Sequence, residues 1–455
     1  MIARGCSLIL MCLALPAIAA AQGAPRPDAD PRIEKLVAAV SEERLRELAT
    51  RLVSFGTRNT LSDQTSSTRG IGAARNWILE EMRRSSEKLR VTFDAHVIPP
   101  QGRITRQVDL RNVMAILPGR SPRRIYLSGH YDSLNIGGQN QSNATAPGAN
   151  TGGDRQTRPD FDHNVEAPGA NDDGSGTVLT MELARVFAES GIEFDATLVF
   201  ICWAGEEQGL VGSRAHTMEL AAQKIPVEAV FNNDIVGNSR GGNGIVDAES
   251  VRVYAIGPED SPARALARHI VKAAGVYVPS HRVRPMARED RFGRGSDQSS
   301  FTGQGYPAVV FREANENFSK QHGADDTLDG VDFGYLAQNT RVNVAGMAAL
   351  ALAPAAPKVT NDRGGNLLSR DPSGYDATMR WNPSPGAVAY RVYWRDTWSN
   401  DWQHSQAIGN VTQFTLKNVS IDDFAFGVSA IGADGNESLV SSYVSPVRRD
   451  QPLKK

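Results

Sequence analysis

Five short polar motifs punctuate the chain, each expected just after an apolar, strand-like run, and each carrying a side chain of metal-ligand type. They are SGHYDS with His130 and Asp132, PGANDDGSG with Asp172, WAGEEQG with Glu206 and Glu207, NNDIVG with Asp234, and KQHGADDT with His322. The strand-like runs are VTFDAHVI, NVMAIL, RIYLSG, ATLVFICWA, VEAVFNND, VRVYAIG and PAVVFREA. Segments with helical apolar spacing alternate with them, among them GTVLTMELARVFAES, SRAHTMELAAQK, SPARALARHIVKAAG and residues 331–352. Such alternation predicts an α/β fold: a mostly parallel mixed sheet sandwiched by helices. Open sheets of this kind bind ligands outside the carboxyl ends of their strands. Two His and several carboxylates gathered there make a hard N/O site with no thiolate, rich enough for two divalent ions.

A chain of 455 residues is long for one domain, and 40% hydrophobic content gives an ample core. A net charge of −2 argues against nucleic acid or an anionic membrane as a main partner. Residues 1–21 read as a signal peptide: Arg4, a short apolar core, then small residues at Ala17, Ala19 and Ala21. The apolar run is too short for a membrane span, and no transmembrane segment is expected later. An exported protein is therefore expected, periplasmic or secreted. Cys6 and Cys12 would leave with the signal, so Cys202 remains, as a buried core thiol without a disulfide.

Near the amino end, Ser41 is expected to cap a helix that buries Leu45, Leu48 and Leu52. The larger region spans 32–353, with residues 137–166 as a polar loop insertion. APAAPK then reads as a linker. Residues 358–449 carry short alternating segments separated by turn signals, which predict a small all-β sandwich. This part resembles a fibronectin type III module, with Trp381 early and Val428, Ala430 and Asp434-Gly435-Asn436 near the end. Phe424 stands where such modules usually carry a corner Tyr.

Each motif alone admits a bland reading. An H-x-D pair arises by chance in loops, and Asp172-Asp173 would serve as a simple N-cap. Glu206 and Glu207 are sharper: neighbouring carboxylates on a turn point different ways, so one can bind a metal while the other faces a water. Their order, His, Asp, Glu-Glu, Asp, His, resembles the zinc aminopeptidase family of metallopeptidase clan MH over residues 32–352. The resemblance implies two zinc ions bridged by Asp172, one completed by His130 and Asp234 and the other by Glu207 and His322. It puts Glu206 at the general-base position and Asp132 behind His130. Ser296-Asp297 before Phe301 resembles a further family motif that supports the site. Gln321 departs from members that carry a Tyr before the last His, where it stabilises the oxyanion.

The function expected is a zinc exopeptidase, an aminopeptidase acting on peptide substrates. The alternatives are a carboxypeptidase or other amidohydrolase on the same scaffold, or a catalytically inactive binding ectodomain. Glutaminyl cyclases share the fold with one zinc. His163, His216, His269 and His281 lack partners at ligand spacing and read as surface or packing residues. Arg282, Arg284, Arg288, Arg291 and Arg294 read as a solvated loop, with a minority reading in which one recognises a substrate carboxylate or carbonyl.

Overall fold

Eight strands build the main sheet: β1 (Arg90–Ile98), β2 (Val108–Leu117), β3 (Arg124–His130), β4 (Thr197–Trp203), β5 (Val227–Asn233), β6 (Ser250–Ala255), β7 (Arg282–Met286) and β8 (Ala308–Glu313). In this computed structural model they lie in the order β1-β2-β4-β3-β5-β8-β6-β7. The structure describes residues 29–137, 156–158, 160–372 and 374–444. The expected signal at 1–21 lies outside them, as do 138–155 and 159 of the insertion and 445–449 of the β-sandwich. The central strands β4, β3, β5 and β8 run parallel. β1 and β2 join antiparallel on one side, and β6 pairs antiparallel with β8 on the other.

Alternation along β4 sorts its side chains to two faces. Leu198, Phe200 and Cys202 enter the larger core, while Val199, Ile201 and Trp203 enter a smaller one on the opposite face. The larger core is covered by α1 (Pro31–Ala38), α2 (Glu42–Val53), α3 (Gly70–Ser85), α4 (Gly174–Glu189), then by α6 and α8 below; α5 (Val211–Ala222) covers the smaller core. α6 spans Pro262–Tyr277, α7 Gln298–Thr302 and α8 Phe333–Leu352. The Ser41 side chain caps α2 by accepting from the Arg44 amide, and Leu45, Leu48 and Leu52 are buried as their spacing predicts. Cys202 is a buried free thiol. No helix among the described residues is long and apolar enough to cross a membrane.

The arginine-rich stretch is not one solvated loop. Its first five residues form β7, an edge strand that accommodates Pro285.

The carboxyl-terminal region forms two antiparallel sheets. Its strands are β9 (Leu368–Arg370), β10 (Asp376–Arg380), β11 (Ala387–Asp396), β12 (His404–Ile408), β13 (Gln413–Ser420), β14 (Phe424–Gly432) and β15 (Ser441–Ser442). They order as β13-β10-β9 and β12-β11-β14-β15 around a core that includes Trp381, Tyr390, Val392, Leu416 and Val428. The expected linker is packed rather than loose: Ala353 and Pro354 are buried, and the Arg123 guanidinium donates to the Ala353 carbonyl at 2.7 Å. Arg395 reaches Asp260 at 2.5 Å, Lys272 reaches Glu437 at 2.7 Å, and Leu439 joins the larger core.

Candidate metal centre

The carboxyl edge of the parallel strands carries most of the expected residues. His130 ends β3, Glu206 and Glu207 sit in the turn after β4, and Asp234 follows β5 directly. His322 lies further along the loop beyond β8. Asp172 differs from expectation: it arrives from a loop, not a strand, and immediately precedes Asp173, the N-cap of α4. Two glycines make room. Gly205 turns the chain after β4 with φ +76°, and a Cβ there would lie 2.8 Å from Leu110. A Cβ on Gly176 would lie 2.3 Å from the Asn233 carbonyl oxygen, so only glycine lets α4 approach β5 this closely. His322 and Ile235, next to Asp234, adopt left-handed backbone at φ 54° and 59°. Such strain costs about 1–3 kcal/mol per residue and persists where surrounding contacts overdetermine it.

The five side chains expected to hold metal converge in two overlapping groups. One comprises His130, Asp172 and Asp234, the other Asp172, Glu207 and His322, and within each the ligand atoms lie within 4.8 Å of one another. Asp172 belongs to both through different oxygens. Its Oδ1 is 3.4 Å from His130 Nε2, and its Oδ2 is 3.1 Å from His322 Nε2. His322 Nε2 also lies 3.2 Å from Glu207 Oε2, and His130 Nε2 lies 3.8 Å from Asp234 Oδ1. Glu206 points an oxygen to within 4.0 Å of His130 Nε2.

Contacts behind this layer fix its geometry. His130 Nδ1 meets the Asp132 main-chain carbonyl at 3.1 Å, while the Asp132 carboxylate accepts the amides of Glu206 and Glu207, each at 3.2 Å. Asp132 thus positions the tandem glutamates more directly than it positions the His130 ring. Asp173 accepts the His130 amide at 3.0 Å, the Gly176 amide at 2.8 Å and the Ile235 amide at 3.1 Å. It ties β3, α4 and the end of β5 together, so the capping reading holds for Asp173 while Asp172 faces the centre. Ser296 donates to Asp234 Oδ2 at 2.5 Å. Asp326 accepts the Asp172 amide at 2.8 Å and the Asn171 amide at 2.9 Å. Arg312, fully buried, donates to the Asp234 carbonyl at 2.9 Å.

Four acidic side chains, Asp172, Glu206, Glu207 and Asp234, share two imidazoles and the Arg312 guanidinium. Burial opposes ionisation of Asp172, but His130 and His322 hold its carboxyl well below the usual range. Burial likewise opposes Asp234, yet Arg312 and His130 draw it down. Burial pushes Glu207 well up, reinforced by Asp172 and Glu206. Burial also pushes Glu206 well up, with Asp234, Asp297 and Asp132 adding to it against His130. Asp172 Oδ2 and Glu207 Oε1 are buried and satisfied by no hydrogen bond of normal geometry. Buried carboxylates left this way are costly unless paired or bound to a cation. The nitrogen and oxygen donors suit zinc, which takes His and carboxylate ligands.

Sequence reading missed Asp326 and Arg312 as parts of this site. Asp326 stands in the same HGADDT motif as His322, which was the available signal; Arg312 had none, because a strand arginine reads as an exposed one. Away from the site, His216 lies between Asp94 and Tyr126, His269 meets the Gly346 carbonyl, and His281 meets Asn339. These packing roles match expectation.

Residues 112–347 match the model of peptidase family M28. A probable zinc metalloprotease of Pyricularia oryzae is 38% identical over 453 residues, covering 90% of this chain and 84% of the relative. One from Leptosphaeria maculans is 36% identical over 452 residues, covering 91% and 97%. Among solved structures, the LapA aminopeptidase of Legionella pneumophila has a TM-score of 0.52 at 20% identity, covering 71% of this chain and 75% of that one. A glutaminyl cyclase of Porphyromonas gingivalis has a TM-score of 0.51 at 15% identity, covering 68% and 98%. These structural likenesses are of fold alone. The match across half the chain and the close relatives share one classification: the chain belongs to peptidase family M28 and is a zinc metallopeptidase.

Proposed function

We propose that the protein is an exported aminopeptidase with two zinc ions. The observation that carries the reading is the split of Asp172, one oxygen toward His130 and the other toward His322. His130, Asp172 and Asp234 would hold one ion, and Asp172, Glu207 and His322 the other. Zinc bound there would supply Lewis acidity, polarising the substrate carbonyl and lowering the pKa of a water to about 7. Glu206, beside His130 and half-buried, is placed to accept a proton from an attacking water and to return it to the leaving amine. Asp132 holds Glu206 and Glu207 at their amides so the two carboxylates keep different directions. Carboxylates of the site hold the free α-amino group of the substrate. The region 358–449 is proposed as a fibronectin type III-like module, and 1–21 as a signal peptide.

One preparation tests the reading. The protein is recovered from the exported fraction, its N-terminus is read, and it is profiled on aminoacyl amides and N-blocked peptides with and without chelator. Cleavage near residue 21 and chelator-sensitive turnover of unblocked substrates only are expected. Turnover of N-blocked peptides with release of C-terminal residues would make it a carboxypeptidase instead.

A further inference from the structure

Beside His322 lies a cluster in which arginine outnumbers carboxylate. Three guanidinium groups converge on Glu316: Arg252 at 2.8 Å, Arg291 at 2.9 Å and Arg294 at 3.1 Å. A fourth, Arg312, pairs with Asp290 at 2.7 Å and Asp234 at 2.5 Å. Asp290 also accepts from Arg291 at 3.1 Å. Glu313 turns its carboxyl away from these arginines and accepts from Asn171 Nδ2 at 2.9 Å and the Asn238 amide at 3.0 Å. Four guanidinium groups therefore face three carboxylates, and one of those, Asp234, also faces the metal centre.

The surplus charge is best presented by Arg294. Its side chain is 26% exposed, against 15% for Arg252, 9% for Arg291 and none for Arg312. Its Nη2 donates to Gln321 Oε1 at 3.0 Å, and its guanidinium lies 5.0 Å from the centroid of the Phe318 ring. These contacts fix the plane of the fork, and its Nε–H has no partner among the described residues. Gln321 is the residue before His322, whose Nε2 is 3.1 Å from Asp172. Phe292, two residues before Arg294, is 88% exposed and adds an apolar surface on the same loop.

We propose that Arg294 is a specificity-determining residue that binds a substrate carboxylate on the His322 side of the metal centre. A planar, pre-positioned guanidinium is suited to a carboxylate in a way a flexible ammonium is not. The carboxylate is either an acidic side chain at the N-terminus of the substrate or the free C-terminus of a dipeptide. The inference rests on the peptidase reading and adds the class of substrate.

Two substrate pairs separate the sources on the zinc-loaded full chain. Leu-Ala against Leu-Ala amide varies the terminal carboxylate; Asp-Ala amide against Asn-Ala amide varies the side chain. One pair is expected to favour the carboxylate by about 10- to 100-fold in kcat/KM, carried by KM. Arg294→Met should bring that ratio near one, and Arg294→Lys, which keeps charge without the fork, should retain part of it. If Arg294→Met does not fold, the Lys variant decides alone. No preference in either pair, or a preference unchanged in the variants, overturns the proposal. If the wild-type protein turns over none of the four substrates, the aminopeptidase reading fails, and calorimetric Kd values for the same pairs on the wild-type and variant proteins give the ratio that decides Arg294.

Discussion

Charged side chains gather in two regions of this protein, and they are treated in opposite ways. At the seam where the β-sandwich meets the larger domain, acids have their cations: Asp260 with Arg395 and Glu437 with Lys272 beside α6, and Asp434 with Arg32 of α1. At the carboxyl edge of the main sheet, Asp172, Glu206, Glu207 and Asp234 crowd around two imidazoles and Arg312, with buried oxygens left unsatisfied. Paired charges of the first kind contribute little individually. A buried carboxylate oxygen left without a partner, of the second kind, costs several kcal/mol unless a cation offsets it. The contrast separates charge that holds domains together from charge that does chemistry.

The largest effect should come from the tandem glutamates, which differ in role although they are neighbours. Glu206→Gln should lower kcat by about 10²–10⁴-fold with zinc retained, since it removes the base and keeps the shape. Glu207→Gln should instead lose zinc affinity. Turnover and zinc content measured on both variants check this, and the reverse pattern would exchange the roles.

Chelation should destabilise the edge and spare the seam. A metal present at about 100 times its Kd adds about 2.7 kcal/mol, so its removal should lower the Tm of the peptidase domain by on the order of 5 °C. An unchanged Tm by calorimetry would mean that the carboxylate cluster tolerates its own repulsion. The smallest effect belongs to the seam: Lys272→Ala removes a largely exposed partner of Glu437 and should cost about 1 kcal/mol or less. Denaturant unfolding reads that number, and a loss of turnover in this variant would join the two regions that the comparison separates.

Much of the site was legible because its residues follow apolar runs that could only be strands of a buried sheet. His130, Glu206, Glu207 and Asp234 are found that way. Asp172 was legible as a motif but not in its setting, since a loop and a helix N-terminus deliver it. What was not legible depends on partners distant in sequence. The Asp132 carboxylate reaches amides 74 and 75 residues away, and Asp326 reaches an amide 154 residues away. Local pattern carries no record of such pairs. β7 escaped for another reason: its arginines and Pro285 suit an edge strand but read as a loop. The packed linker at Ala353 was hidden because its composition suits both a spacer and a buried turn.

The central claim is that Asp172 bridges two metal ions. Anomalous diffraction at the zinc edge from crystals of the zinc-loaded protein tests it directly. The account predicts two peaks about 3.5–4 Å apart, one beside His130 and Asp234, the other beside Glu207 and His322, with Asp172 between them. A single fully occupied peak, or two peaks that do not share Asp172, would contradict it.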